Sequence, residues 1–151
     1  MKNARTILLF LLIISIPIAE AAKKRTFKCT LMSTWMNVES GYGGGCWEEG
    51  NFSATVGLSS DEPTIVKTFN VGDDRVVTTS LRAIYFDGKP LLLSISINAA
   101  KADTDTTSTE YKANEVSAEV SFASNWKQLS VEKKVRKGEM VYTYWFICEK
   151  T

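Results

Sequence analysis

The chain has 151 residues, with 18 Lys and Arg against 17 Asp and Glu and a formal net charge of +1. This near balance excludes a nucleic-acid binder that works by neutralising phosphates, since that needs a basic face. Histidine is absent, which removes Ser-His-Asp and Cys-His catalysis, imidazole-dependent zinc sites and the ordinary general base near neutral pH.

The first element is a targeting segment. Lys2 and Arg5 make a positive n-region, and an apolar run from Ile7 to Ile18 is broken only by Ser15 and Pro17. Ala19-Glu20-Ala21 then places small residues at the two positions a signal peptidase reads. As a helix the run spans about 18 Å, short of a ~30 Å hydrocarbon core, so cleavage is expected over retention as an anchor. Residues 1–21 are therefore read as a removed signal peptide and 22–151 as one secreted or periplasmic domain. Without residues 1–21 the chain carries no net charge. Lys23-Lys24-Arg25 and the later basic cluster around Lys133 read as solvated surface.

The rest reads as strands in chain order. Phe27, Cys29, Leu31, Ser33 and Trp35 alternate with smaller or polar residues, as do Phe52, Ala54, Val56 and Leu58. Ile65, Lys67, Phe69 and Val71 follow Pro63, with Val66 on the opposite face. A β-branched run from Arg75 to Phe86 ends at Asp87-Gly88, a hairpin signal. Pro90 suits the start of the next strand, in which Leu91, Leu93, Ile95 and Ile97 share a face opposite Ser94, Ser96 and Asn98. Residues from Ala99 to Thr109 are rich in Thr, Asp and Ala and read as a loop. Glu115 to Phe122 alternates again, with Val116, Ala118, Val120 and Phe122 inward, while Ser108 to Phe122 also fits a helical face through Tyr111, Glu115 and Ala118. Leu129, Val131 and Val135 mark a shorter strand, and Gly138-Glu139 turns into a last one with Met140, Tyr142, Tyr144, Phe146 and Cys148 on one side.

Period-2 alternation with one polar face means half-buried antiparallel strands. About eight strands are expected, forming either an antiparallel β-sandwich or a small closed barrel. An outer-membrane barrel is disfavoured, because Lys28 and Arg82 would then face lipid or crowd a small lumen.

Export implies an oxidising compartment, where three cysteines allow one bridge and one leftover thiol. Cys29 lies near the start of the first strand and Cys148 near the end of the last. If those strands neighbour each other antiparallel, the two fall opposite one another within bridging range. Cys29–Cys148 is the expected disulfide. Cys46, on a loop at the far end, is the expected free thiol, and a disulfide-linked dimer through it is one expected partnership.

Cys46 sits in SGYGGGCWEEG, residues 40–50. Its cysteine–tryptophan pair resembles the end of the papain-type CGSCW motif. The earlier cysteine of that motif and any histidine are missing, so nothing activates the thiol. Gly45-Cys46-Trp47 also matches the G-x-W of lipocalin-like carriers, but after the first strand instead of opening it. The glycines read as backbone geometry. Trp35, Tyr42 and Trp47 read as large groups that cap one end of the core or, where exposed, form a recognition loop.

Other patterns carry less. Ser124-Asn125-Trp126-Lys127 matches S-x-x-K, but the companion motifs are absent. Asp61-Glu62, Asp73-Asp74, Asp87, Asp103 and Asp105 read as turn residues before calcium ligands. Asn51-Phe52-Ser53 is an N-glycosylation acceptor in a host that glycosylates. No catalytic residue, metal or cofactor is assigned. The expected role is a non-catalytic binding or protein-interaction module, with an unknown protein or small ligand as partner and no stable membrane insertion after cleavage. A small hydrophobic-ligand carrier with a barrel cavity is the alternative, and a histidine-free hydrolase the third.

Overall fold

The computed structural model describes residues 25–56, 64–72, 75–87, 89–101, 108–122 and 124–151. The expected signal peptide, Asp61-Glu62, Asp73-Asp74, Asp103 and Asp105 lie outside the described residues. Eight strands and one short helix run in the order β1 (Arg25–Asn37), β2 (Trp47–Val56), β3 (Ile65–Asn70), β4 (Arg75–Phe86), β5 (Lys89–Lys101), α1 (Thr109–Ala113), β6 (Val116–Ser121), β7 (Gln128–Lys137) and β8 (Met140–Lys150).

The strands form two four-stranded antiparallel sheets, β2-β1-β8-β7 (sheet A) and β3-β4-β5-β6 (sheet B). Consecutive strands pair within each sheet and β1 pairs with β8, but among the described residues no ladder joins β2 to β3 or β6 to β7. The chain is thus a sandwich with two open seams, and the closed-barrel alternative is corrected. Local alternation fixes which side of each strand is buried. It says nothing about whether the outermost strands zip together, which is what separates the two architectures.

The core follows the inward set of each strand. Phe27, Cys29 and Leu31 of β1 meet Phe146 and Cys148 of β8 on one sheet, and Val77, Leu81, Leu93, Ile95 and Ile97 cover them from the other, all fully buried. Each such Leu, Ile, Val or Phe stabilises the fold by about 1.5–3 kcal/mol relative to exposure. At one edge of this layer the Phe27 and Trp126 rings stack with centroids 5.4 Å apart.

Two bulges break the period. Opposite Leu31 and Met32, β2 carries Glu49 as an extra residue between Gly50 and Glu48. Opposite Ile84 and Tyr85, β5 carries Leu91 as an extra residue, so this leucine is exposed and not on the core face as its parity suggested. Two boundaries also move. Ala99–Lys101 continues β5, because these residues pair with Val77, Val76 and Arg75 of β4. Thr109 opens α1, which is capped by Ser108 Oγ accepting from Tyr111 N at 3.1 Å.

The meander gives the sandwich two distinct ends. One carries Arg25, the β4–β5 hairpin and Thr151, whose amide donates to Thr26 O at 3.0 Å. The other carries the β1–β2 loop, α1 and the β7–β8 turn.

Candidate functional site

The β1–β2 loop, residues 38–46, is built from its own hydrogen bonds. Asn37 Oδ1 accepts from the amides of Glu39 and Ser40, each at 3.0 Å, which turns the chain sharply at the end of β1. Asn37 N donates to Tyr42 O at 2.7 Å and Gly41 N returns to Asn37 O at 3.0 Å. That closure puts Gly41 at φ +66°, the left-handed region glycine enters without penalty. Val38 N reaches Glu139 O at 2.8 Å and so ties the loop to the β7–β8 turn. The return limb is held by Gly44 N donating to Trp35 O at 2.9 Å and by Thr34 Oγ1 donating to Gly44 O at 3.0 Å.

Gly44 has a second role. A Cβ there would stand 2.5 Å from Trp35 Nε1 and 2.6 Å from Trp47 Cη2, so only glycine fits between the two indole rings. Gly45 is different, because the nearest side-chain atoms to its position are 4.0 Å away.

The loop brings the three sequence-selected aromatics together. Trp35 is half-buried on the inner face of β1, and Tyr42 tilts against it with ring centroids 5.6 Å apart. Tyr42 is 69% exposed and Trp47 42% exposed, and Met36 and Val38 beside them are exposed as well. These are capping groups that keep much of their surface in water. Cys46 is exposed and free on the same loop, and Cys29 and Cys148 form the intramolecular disulfide with Cα atoms 4.1 Å apart. The expected pairing follows from the β1–β8 register, in which Cys29 faces Cys148 directly.

Beneath the loop the inter-sheet space turns polar. Ser33 Oγ donates to Glu49, the β2 bulge residue, so that carboxylate is directed inward. The Arg75 guanidinium lies 3.4 Å from the centroid of the Tyr142 ring, a cation–π contact within the sandwich. A buried Arg75 escaped the sequence reading, although its parity with Val77, Thr79 and Leu81 placed it on the core face. Met36, which the sequence also places among the large groups around this loop, is exposed as well, whereas Val38 was not legible, since parity says nothing of what leaves it uncovered.

One electrostatic feature lies elsewhere, on the outer face of sheet A. Glu132 accepts a hydrogen bond from Lys134 and another from Trp145 Nε1 at 2.8 Å, and these hold its carboxyl below the usual glutamate value. No group of three or more ligating side chains among the described residues is placed to hold a metal ion.

No protein-family model matches the chain, and no curated protein or solved structure is significantly similar to it.

Proposed function

We propose that the chain is a non-catalytic interaction module that works outside the cytoplasm and meets a protein partner through the β1–β2 loop end. The observation that carries this is a loop bonded to the frame along its length that still presents Tyr42, Trp47, Met36 and Val38 to solvent. An ordered surface has less entropy to lose on binding. Tyr and Trp are also the side chains that concentrate binding energy at protein interfaces. Cys46 lies within this surface and offers a disulfide to a partner thiol, including that of a second copy. The signal-peptide pattern of residues 1–21 supports the compartment.

The test places a photo-crosslinking amino acid at Tyr42, and separately at Phe86 on the opposite end, in cells that make the protein. One discrete adduct from position 42, absent from position 86, is expected. Equal labelling from both ends, or none from position 42, overturns the reading.

A second reading is a carrier of a small hydrophobic ligand. It is favoured by a 290 Å³ cleft at the β2–β3 seam, lined by Val56, Ile65, Leu81, Ala83 and Tyr85 with Thr55 and Arg82 at its side. Stabilisation by fatty acids or hydrophobic dyes in a thermal shift supports that reading, and a flat response across the panel removes it.

A further inference from the structure

The outer face of sheet B departs from the usual plan. A face turned to solvent carries exposed polar residues, and a covered one carries apolar residues. Here Ser94, Ser96 and Asn98 of β5 point outward yet are only 2%, 6% and 3% exposed. Across the ladder, Ser80 faces Ser96 with their hydroxyls 2.7 Å apart, and Thr78 faces Asn98. The short helix α1 packs at the edge of this face, where Asn98 Nδ2 donates to Tyr111 O. The result is a cleft of 260 Å³ whose walls include Ser80, Arg82, Ser96, Asn98, Tyr111 and Glu115.

Two features of this cleft point to a ligand. Asn98 Oδ1 is buried and accepts no hydrogen bond from the described residues. A buried acceptor without a donor is costly, and native structures leave few. The wall charges also cancel, since Arg82 and Glu115 carry opposite signs. These two charges among the lining side chains therefore favour neither an anion nor a cation.

We propose that this cleft binds a neutral sugar, one ring at a time, as a monosaccharide or the terminal unit of a glycan. Every ring hydroxyl is both donor and acceptor, which matches a wall of hydroxyls, a carboxamide, a guanidinium and a carboxylate. Asn98 Oδ1 is covered in the free chain, so the carboxamide must turn toward the bound ring, whose hydroxyl then supplies the missing donor; an inorganic anion without a hydrogen does not. Val66 and Tyr111 line the same cleft and give the C–H face of a ring an apolar wall. The volume suits a single ring. This site is separate from the β1–β2 loop and stands or falls independently of the protein-partner reading.

The experiment is an amide-resolved NMR titration of the purified chain. The probes are methyl glycosides of glucose, galactose, mannose and N-acetylglucosamine, with sodium sulfate and glycine as charged controls. Saturable shifts at Ser80, Ser96, Asn98 and Tyr111 with at least one glycoside are expected. Arg82→Ala and Glu115→Ala change exposed side chains, so the fold should persist, as the remaining amides will show. Each should weaken binding about tenfold, the loss of a good polar contact. No saturable shift with any glycoside overturns the proposal. So do cleft shifts with sulfate or glycine alone, and glycoside shifts that both variants leave unchanged.

Discussion

Cys29 and Cys148 face each other across the β1–β8 ladder, and their disulfide links positions 119 residues apart. It thereby joins the two central strands of sheet A within the fully buried layer of the core. Its loss removes a constraint on the unfolded chain as well as a packed contact. Replacing both cysteines with alanine should lower stability by about 2–5 kcal/mol. Urea unfolding of the variant against the oxidised parent measures this, and a difference near zero would mean that strand pairing alone suffices.

Cys46 should behave as the opposite kind of cysteine. It is exposed and free. Alkylation of the unreduced, folded monomer, separated from any disulfide-linked dimer, followed by mass mapping should modify Cys46 completely and leave Cys29 and Cys148 unlabelled. Cys46→Ser should leave the urea midpoint unchanged, since an exposed site away from such features is worth little.

Neighbouring glycines should respond differently to the same change. Gly44→Ala forces a methyl group between Trp35 and Trp47, so it should cost about 1–3 kcal/mol and shift tryptophan fluorescence. Gly45→Ala meets nothing closer than 4.0 Å and should be close to neutral. Equal effects at both positions would show that chain flexibility, and not the gap between the rings, is what the glycines provide.

Glu132 sets a small acid dependence. Its folded value lies below the unfolded one, owing first to the Lys134 hydrogen bond and then to that from Trp145. Its contribution is therefore present above the unfolded glutamate value of about 4.3 and fades as the pH falls through the lower folded value. The group is exposed, so solvent screening keeps the effect small. Glu132→Gln should flatten the stability profile below about pH 4.3 and leave it parallel to the parent above. An unchanged acid limb would mean that the ion pair does not persist in solution.

The inward faces were legible from alternation alone. The range Arg75–Phe86 came out as β4, and the Cys29–Cys148 pairing followed once the first and last strands were placed side by side. Leu91 was not legible, because a bulge is set by how two strands meet and not by either one alone. The short helix α1 falls inside the stretch from Ser108 that fits a helical face, but its bounds were not legible, since five residues are too few to show a helical period. The cleft on sheet B was the harder loss. Ser94, Ser96 and Asn98 read as the wet side of a strand, and their burial appears only when β4, β6 and α1 surround them. At the loop end, Gly44 showed itself as a glycine in a glycine run, but its place between two indoles required the folded loop.

The order of strands also governs how the chain can be assembled. Sheet B comes from one contiguous stretch, β3 to β6, so its ladders close between neighbours in sequence. The centre of sheet A joins β1 to β8 and must wait for the distant end of the chain. Until β8 is available, the only cysteine near Cys29 in sequence is Cys46. Early oxidation would therefore favour a non-native Cys29–Cys46 bridge, and productive folding would depend on thiol exchange to release it once Cys148 arrives.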